Sequence, residues 1–192
     1  GRAECPPGPS PPGEPAWSDE TDAGPRAAAI LDDGSGSADA LLASIASSQR
    51  RAGRRVRGLL MTHPVGAQNC AAAMVLVDLE TREEYLVSQP LGQDSQACRA
   101  DPQGFARASV VLRRAADEQA DLVISNRFGG LEAGGGGFCS ELLELMSRDV
   151  PVLTVVSPRH VEAWQEFTGG APVMPPQAEA ITRWLAQTVC AA

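Results

Sequence analysis

The sequence predicts an α/β fold: a three-layer, mostly parallel sheet with helices on both faces and an inserted antiparallel hairpin. Three observations predict it. Short, almost wholly apolar runs recur along the chain: "AAAIL" (27–31), "DLVISN" (121–126) and "VPVLTVVS" (150–157). Strands buried on both faces read this way. Segments with helical periodicity alternate with these runs, as in a sheet built by crossover connections. Between them, "AAAMVLVDLETREEYLVSQ" (71–89) has two arms around a polar turn near Glu80–Arg82, the pattern of a hairpin.

The elements follow in order. Residues 1–26 hold most of the proline clusters and almost no apolar periodicity, so they read as a flexible tail, with residues 27–192 as a single domain. "AAAIL" is the first strand. Residues 38–52 form a helix with Leu41, Leu42 and Ile45 on one face, and "VRGLLMT" (56–62) is the second strand. After the hairpin, residues 101–119 are a helix opened by Asp-Pro. Residues 121–126 are a buried strand, followed by the glycine-rich loop "RFGGLEAGGGG". Residues 138–149 are a helix and residues 150–157 a strand. "PRHVEAWQEFTGG" is a proline-started helix closed by glycine, and residues 177–189 are the last helix.

Composition narrows the function. The net charge is −8, the opposite of a nucleic-acid binder's usual sign, so no DNA or RNA partner is expected. No apolar run reaches the roughly 18 residues of a membrane span, and no charged-then-apolar segment opens the sequence. The expected location is the cytoplasm. The 16 basic residues are all arginine. Without lysine the chain has no Schiff-base amine, no lysine general base and no lysine cation for a phosphate loop.

In such sheets ligands lie at the carboxyl ends of the strands. The loops after Leu31, Thr62 and Ser125 gather there. The first, "DDGSGSADALL", has the strand–glycine turn–helix layout of a phosphate cradle. Gly34 and Gly36 permit a tight turn, Ser35 and Ser37 add hydroxyl donors, and the following helix offers its positive end. The usual nucleotide loop also carries a lysine for the terminal phosphates. Here Asp32 and Asp33 stand in the turn and would repel a polyphosphate unless a cation bridged them. A small-anion site and a simple helix start, with Ser37 as cap and Asp39 in the first turn, remain open together.

The second loop places Asn126 and Arg127 at a strand end. Asn126 is neither an anionic magnesium ligand nor a general base. Arg127 suits an anion through bidentate hydrogen bonds, or else a salt bridge to Asp32 or Asp33. Glu132 stands nearby as a candidate acid or base. Cys70 and Cys98 flank the hairpin, with His63 after the second strand. Together they would make a three-ligand set for a soft metal, a reversible disulfide, or merely packed small residues. Cys139, Trp164, Phe167 and Trp184 read as core, and "RRAGRR" (50–55) as a solvated cationic helix end.

Four segments carry a family resemblance: "LDDGSGSADALLA", "CAAAMVLVDLETREEYLVSQPLGQDSQACRADP", "ADLVISNRFGGLEAGGGGF" and "PVLTVVSPRHVEAWQEFTGG". Over residues 27–188 the chain resembles bacterial domain-of-unknown-function proteins often encoded beside molybdate transport genes. These are similar in turn to the thermophile-type nucleoside-triphosphatases of the phosphate-loop superfamily. Asn126, Arg127, Phe128, Gly129 and Glu132 match the family's Asn-Arg-Phe-Gly…Glu pattern, and Cys70 and Cys98 match its two cysteines. The resemblance implies a degenerate phosphate-loop fold lacking both the lysine and the acidic pair of the enzymes. It points first to an oxyanion-binding accessory protein in molybdenum homeostasis, with molybdate, tungstate or a phosphorylated ligand held by Gly34–Ser37, Asn126 and Arg127. Two alternatives stand beside it: a weak nucleoside-triphosphatase or nucleotide binder using Mg2+, and a regulatory interaction protein with a vestigial nucleotide site.

Overall fold

The computed structural model describes residues 24–62, 74–91 and 98–189. Seven strands form one sheet in the order β4-β3-β2-β7-β8-β1-β9. β1 (Ala27–Leu31), β2 (Val56–Thr62), β7 (Leu122–Ser125), β8 (Val152–Val156) and β9 (Val173–Met174) run parallel. β3 (Val75–Asp78) and β4 (Glu84–Leu86) add an antiparallel edge onto β2. β5 (Ser88–Pro90) and β6 (Cys98–Ala100) pair separately as a small antiparallel sheet.

The central strands are buried on both faces because their side chains alternate between two apolar layers. From β1, Ala27 and Ala29 enter one layer while Ala28 and Ile30 enter the other. The first layer is covered by α2 (Pro102–Glu118), α4 (Cys139–Ser147) and α5 (Val161–Thr168), through residues such as Leu112, Leu142 and Trp164. The second is covered by α1 (Ser37–Arg51) and α6 (Ala178–Thr188), through Leu42, Ile181 and Trp184. Trp164 stands edge-on to Phe128 at 5.4 Å, and Phe167 packs on the same ring at 5.5 Å. These aromatics and the buried Cys139 are therefore core, as expected. Leu42 is the buried centre of the α1 face, while Leu41 and Ile45 pack at its margin.

Two close backbone approaches hold the left half of the sheet in place. Gly58, at φ +125°, lies so near β7 that an added Cβ would fall 1.9 Å from the Ile124 carbonyl oxygen. Gly104 in α2 lets that helix sit on β4, where a Cβ would fall 2.1 Å from the Leu86 carbonyl. The hairpin turns where the sequence places it. Asp78 Oδ1 accepts from the Glu80 amide at 2.8 Å, and Arg82 takes φ +68°.

Three elements and one helix cap depart from expectation. The glycine-rich loop contains a short helix, α3 (Gly130–Ala133), held by Glu132 reaching back to the amide of Gly129. Ser88–Pro90 leaves the main hairpin for the small sheet, and Val173–Met174 adds an edge strand beside β1. The N-cap of α1 is Gly36 in the left-handed region, so Ser37 is the first helical residue rather than the cap. Among the described residues no helix is long and apolar enough to cross a membrane.

Candidate functional site

Parallel pairing brings the carboxyl ends of β1, β7 and β8 together, and the side chains just beyond them meet. Arg127, after β7, is the centre. Its Nη1 donates to Asp32 Oδ2 and to Ser157 Oγ, both at 2.9 Å. Its Nη2 donates to both Asp39 oxygens at 3.3 Å. Asp32 follows β1, Asp39 lies in the first turn of α1, and Ser157 follows β8. Of the two readings open for Arg127, an anion site or a salt bridge to Asp32 or Asp33, the salt bridge to Asp32 is present. Sequence reasoning missed Asp39 and Ser157 as partners. The strand order would have found Ser157, since β8 separates β7 from β1.

The glycine loop is closed by its own acidic side chains. The amide of Gly34 donates to Asp32 Oδ1 at 2.9 Å, and that of Ser35 to Asp33 Oδ1 at 3.0 Å. The Ser35 hydroxyl also donates to Asp33 Oδ1. Ser35 Oγ and Ser37 Oγ share a bond of 2.8 Å, and the Ser37 amide donates to Ser35 Oγ at 3.2 Å. Gly34 and Gly36 take φ +85° and +83°, which only glycine adopts readily. The Gly34 amide, then Arg127, hold the Asp32 carboxyl below its ordinary range. The Ser35 hydroxyl and amide do the same for Asp33.

This donor set does not fit a divalent cation. Asp32 has one oxygen on an amide and the other on a guanidinium. Asn126 spends its Oδ1 on the Met61 amide at 2.9 Å, tying β7 to β2. No cluster of three or more His, Cys, Asp or Glu side chains suited to a metal occurs among the described residues. His63 and Cys70 lie outside those residues, and Cys98 is described only as part of β6, so the soft-metal expectation falls outside the described structure.

Two hollows flank Arg127 and Asn126. One, of about 300 Å³, is also lined by Asp39, Ala43, Leu60 and Met61. The other, of about 400 Å³, is mostly apolar, with Met61, Met74, Phe105 and Phe138 in its wall beside Glu132. Glu132 is 5% exposed. Its Oε1 accepts from the Gly129 amide at 3.1 Å, while Oε2 has no hydrogen-bond partner among the described residues. Burial pushes its pKa up, opposed by the nearby amides of Gly129 and Phe138. Cys139 donates its thiol proton to the Glu132 carbonyl at 3.2 Å, and burial pushes that thiol up to about 11.

The chain is 39% identical over 145 residues to the molybdenum import ATP-binding protein ModC 2 of Bradyrhizobium diazoefficiens. That match takes in 76% of this chain but only 16% of the relative's length. No solved structure matches the chain. A model of the family described as protein of unknown function (DUF2478) matches residues 27–184, nearly the whole of the described sheet and its helices. The chain belongs to the DUF2478 family.

Proposed function

We propose that this chain is a non-hydrolysing accessory module of molybdenum handling that binds a small oxyanion at Arg127. The observation that carries the reading is the unequal grip on the guanidinium. Asp32 and Ser157 hold Nη1 at 2.9 Å, whereas Asp39 reaches Nη2 only at 3.3 Å from a half-exposed position. An oxyanion entering the 300 Å³ hollow can replace Asp39 on Nη2 and keep the other two contacts as supports. The relation to a molybdenum import ATP-binding protein gives molybdate and tungstate first place among candidate anions. The absence of lysine, and Asn126 where an acidic side chain would be needed, argue against nucleotide hydrolysis.

Two carboxylates, Asp32 and Asp39, pair with the one guanidinium, and Asp33 stands next to Asp32, so anion binding works against local negative charge. The Asp33 and Asp32 contacts also occupy loop amides that a bound anion would otherwise use. The reading therefore makes two opposite demands. Arg127→Ala abolishes binding, and Asp39→Asn strengthens it.

The test is thermal unfolding against molybdate, tungstate, sulfate and phosphate, with ATP or GTP plus magnesium in parallel. A ligand at 100 times its Kd adds about 2.7 kcal/mol to the folded state. For a chain of this size that raises Tm by roughly 5–11 °C. A shift with molybdate or tungstate that vanishes in Arg127→Ala supports the reading. A shift with nucleotide alone would move it to a nucleotide-binding protein. A flat panel would overturn it in favour of an interaction protein whose anion site is vestigial.

A further inference from the structure

The cationic end of α1 plays no part in the site around Arg127. Arg51 lies roughly 18 Å along the helix from Asp39. There Ser47, Arg50 and Arg51 meet Arg82, from the turn between β3 and β4, around an open hollow of about 350 Å³. All four residues are exposed. Among the described residues the wall holds no carboxylate and no apolar side chain. In a chain of net charge −8, three guanidiniums thus converge with no anion between them.

The ordinary structural duties of these arginines are filled by other groups. A cation in the last turn of a helix commonly serves its free carbonyls. Here backbone amides already serve them: Ala52 donates to the Ser48 carbonyl at 3.0 Å, Gly53 to that of Arg50 at 3.0 Å and Arg54 to that of Gln49 at 3.1 Å. The side chains of Arg50, Arg51 and Arg82 make no hydrogen bond or ion pair among the described residues. The carboxylates on the hairpin turn are engaged elsewhere, Glu80 with Arg57 at 3.1 Å and Glu83 with the Tyr85 hydroxyl at 3.0 Å. Arg82 is also held at φ +68°, a corner that glycine occupies without strain. Residues kept against such a preference gather at functional positions.

A wall without apolar surface gives no hydrophobic gain, so charge must supply the binding. One guanidinium suffices for a single oxyanion. Three guanidiniums and a hydroxyl match several oxyanions linked together. We propose that this patch binds the phosphoanhydride chain of a compact di- or triphosphate through Arg50, Arg51 and Arg82, with the Ser47 hydroxyl as a further donor. The patch is independent of the oxyanion reading, and its binding survives Arg127→Ala.

The experiment titrates the full chain by calorimetry with inorganic tripolyphosphate, pyrophosphate and orthophosphate, without magnesium. The expected result is saturable binding of tripolyphosphate, with orthophosphate weaker by about tenfold or more. Arg82→Gly should weaken tripolyphosphate by about fivefold or more while Tm does not fall, because glycine suits the turn. The double variant Arg50→Gln, Arg51→Gln should weaken it further. Arg183→Gln, which removes an equal charge from the exposed face of α6, should leave binding unchanged. ATP should bind no more tightly than tripolyphosphate, since the wall has no ring surface for a base. The proposal is overturned if tripolyphosphate does not saturate, if Arg82→Gly binds it as the parent does, or if Arg183→Gln costs as much as Arg82→Gly. It is also overturned if ATP binds more tightly, or if a glutamate hexapeptide binds in place of the phosphates, which would mark a protein-docking surface.

Discussion

Gly137 and Glu132 are coupled in a way that a double-mutant cycle can measure. Gly137 has φ +56°, and a Cβ built on it would fall 1.6 Å from Glu132 Oε2 and 2.6 Å from its carboxyl carbon. Gly137→Ala therefore has two costs. The left-handed backbone costs an alanine about 1–2 kcal/mol. The carboxyl must also withdraw from its buried seat, giving up the 3.1 Å bond from the Gly129 amide, a loss of about 1.5–3 kcal/mol for a charge-assisted bond. The expected destabilisation is about 2.5–5 kcal/mol. In a Glu132→Ala background the collision is gone and only the backbone cost of about 1–2 kcal/mol remains. Urea denaturation of the four proteins gives an interaction energy of about 1.5–3 kcal/mol. Equal costs of Gly137→Ala in the two backgrounds would refute the reasoning, because the glycine would then be required for its φ alone.

Other outcomes follow from the same geometry. Gly58→Ala should destabilise by about 2–6 kcal/mol, from overpacking against the Ile124 carbonyl plus backbone strain, read as a lower urea midpoint. The folded pKa of Asp32 lies below the ordinary carboxylate value of 3.8, so its contribution is complete above that value and is lost as pH falls through the folded pKa. Asp32→Asn should flatten the acid limb of the stability profile. Glu132 has the opposite sign. Its folded pKa lies above 4.5, so its contribution is present at lower pH and is lost as pH rises through the folded value. Glu132→Gln should therefore gain stability relative to the parent as pH rises above 4.5. Cys139, at about 11 against an ordinary 9.0, contributes stability that disappears as pH rises from 9 to 11, and Cys139→Ala should remove that alkaline loss.

The parallel strands were legible because burial on both faces demands unbroken apolar runs: Ala27–Leu31 and Val56–Thr62 fall where the sequence puts them. The small sheet was not legible. Ser88–Pro90 and Cys98–Ala100 are three-residue strands with neither alternation nor apolar character, and their pairing is a tertiary outcome. Helix α3 was hidden by its flanking glycines, although Glu132 three residues into a turn is a recognisable capping signal. At the site, Arg127 and Asp32 could be matched from their two strand ends. Asp39 could not, because its reach to Arg127 across 88 residues depends on how α1 is set against the sheet. The apolar hollow draws its wall from segments spread between Met61 and Phe138, so no local pattern announces it.

The closure of the glycine loop by Asp32 and Asp33 has a kinetic and thermodynamic consequence. The two carboxylates are tethered competitors, present at a fixed local concentration that dilution cannot lower. Any external anion that needs the Gly34 and Ser35 amides must first wait for the loop to let go. If the released loop were populated at about 1%, the apparent affinity would fall roughly 100-fold below the intrinsic one. The loop would then act as a threshold device, ignoring the anions always present at low concentration and responding only when one becomes abundant.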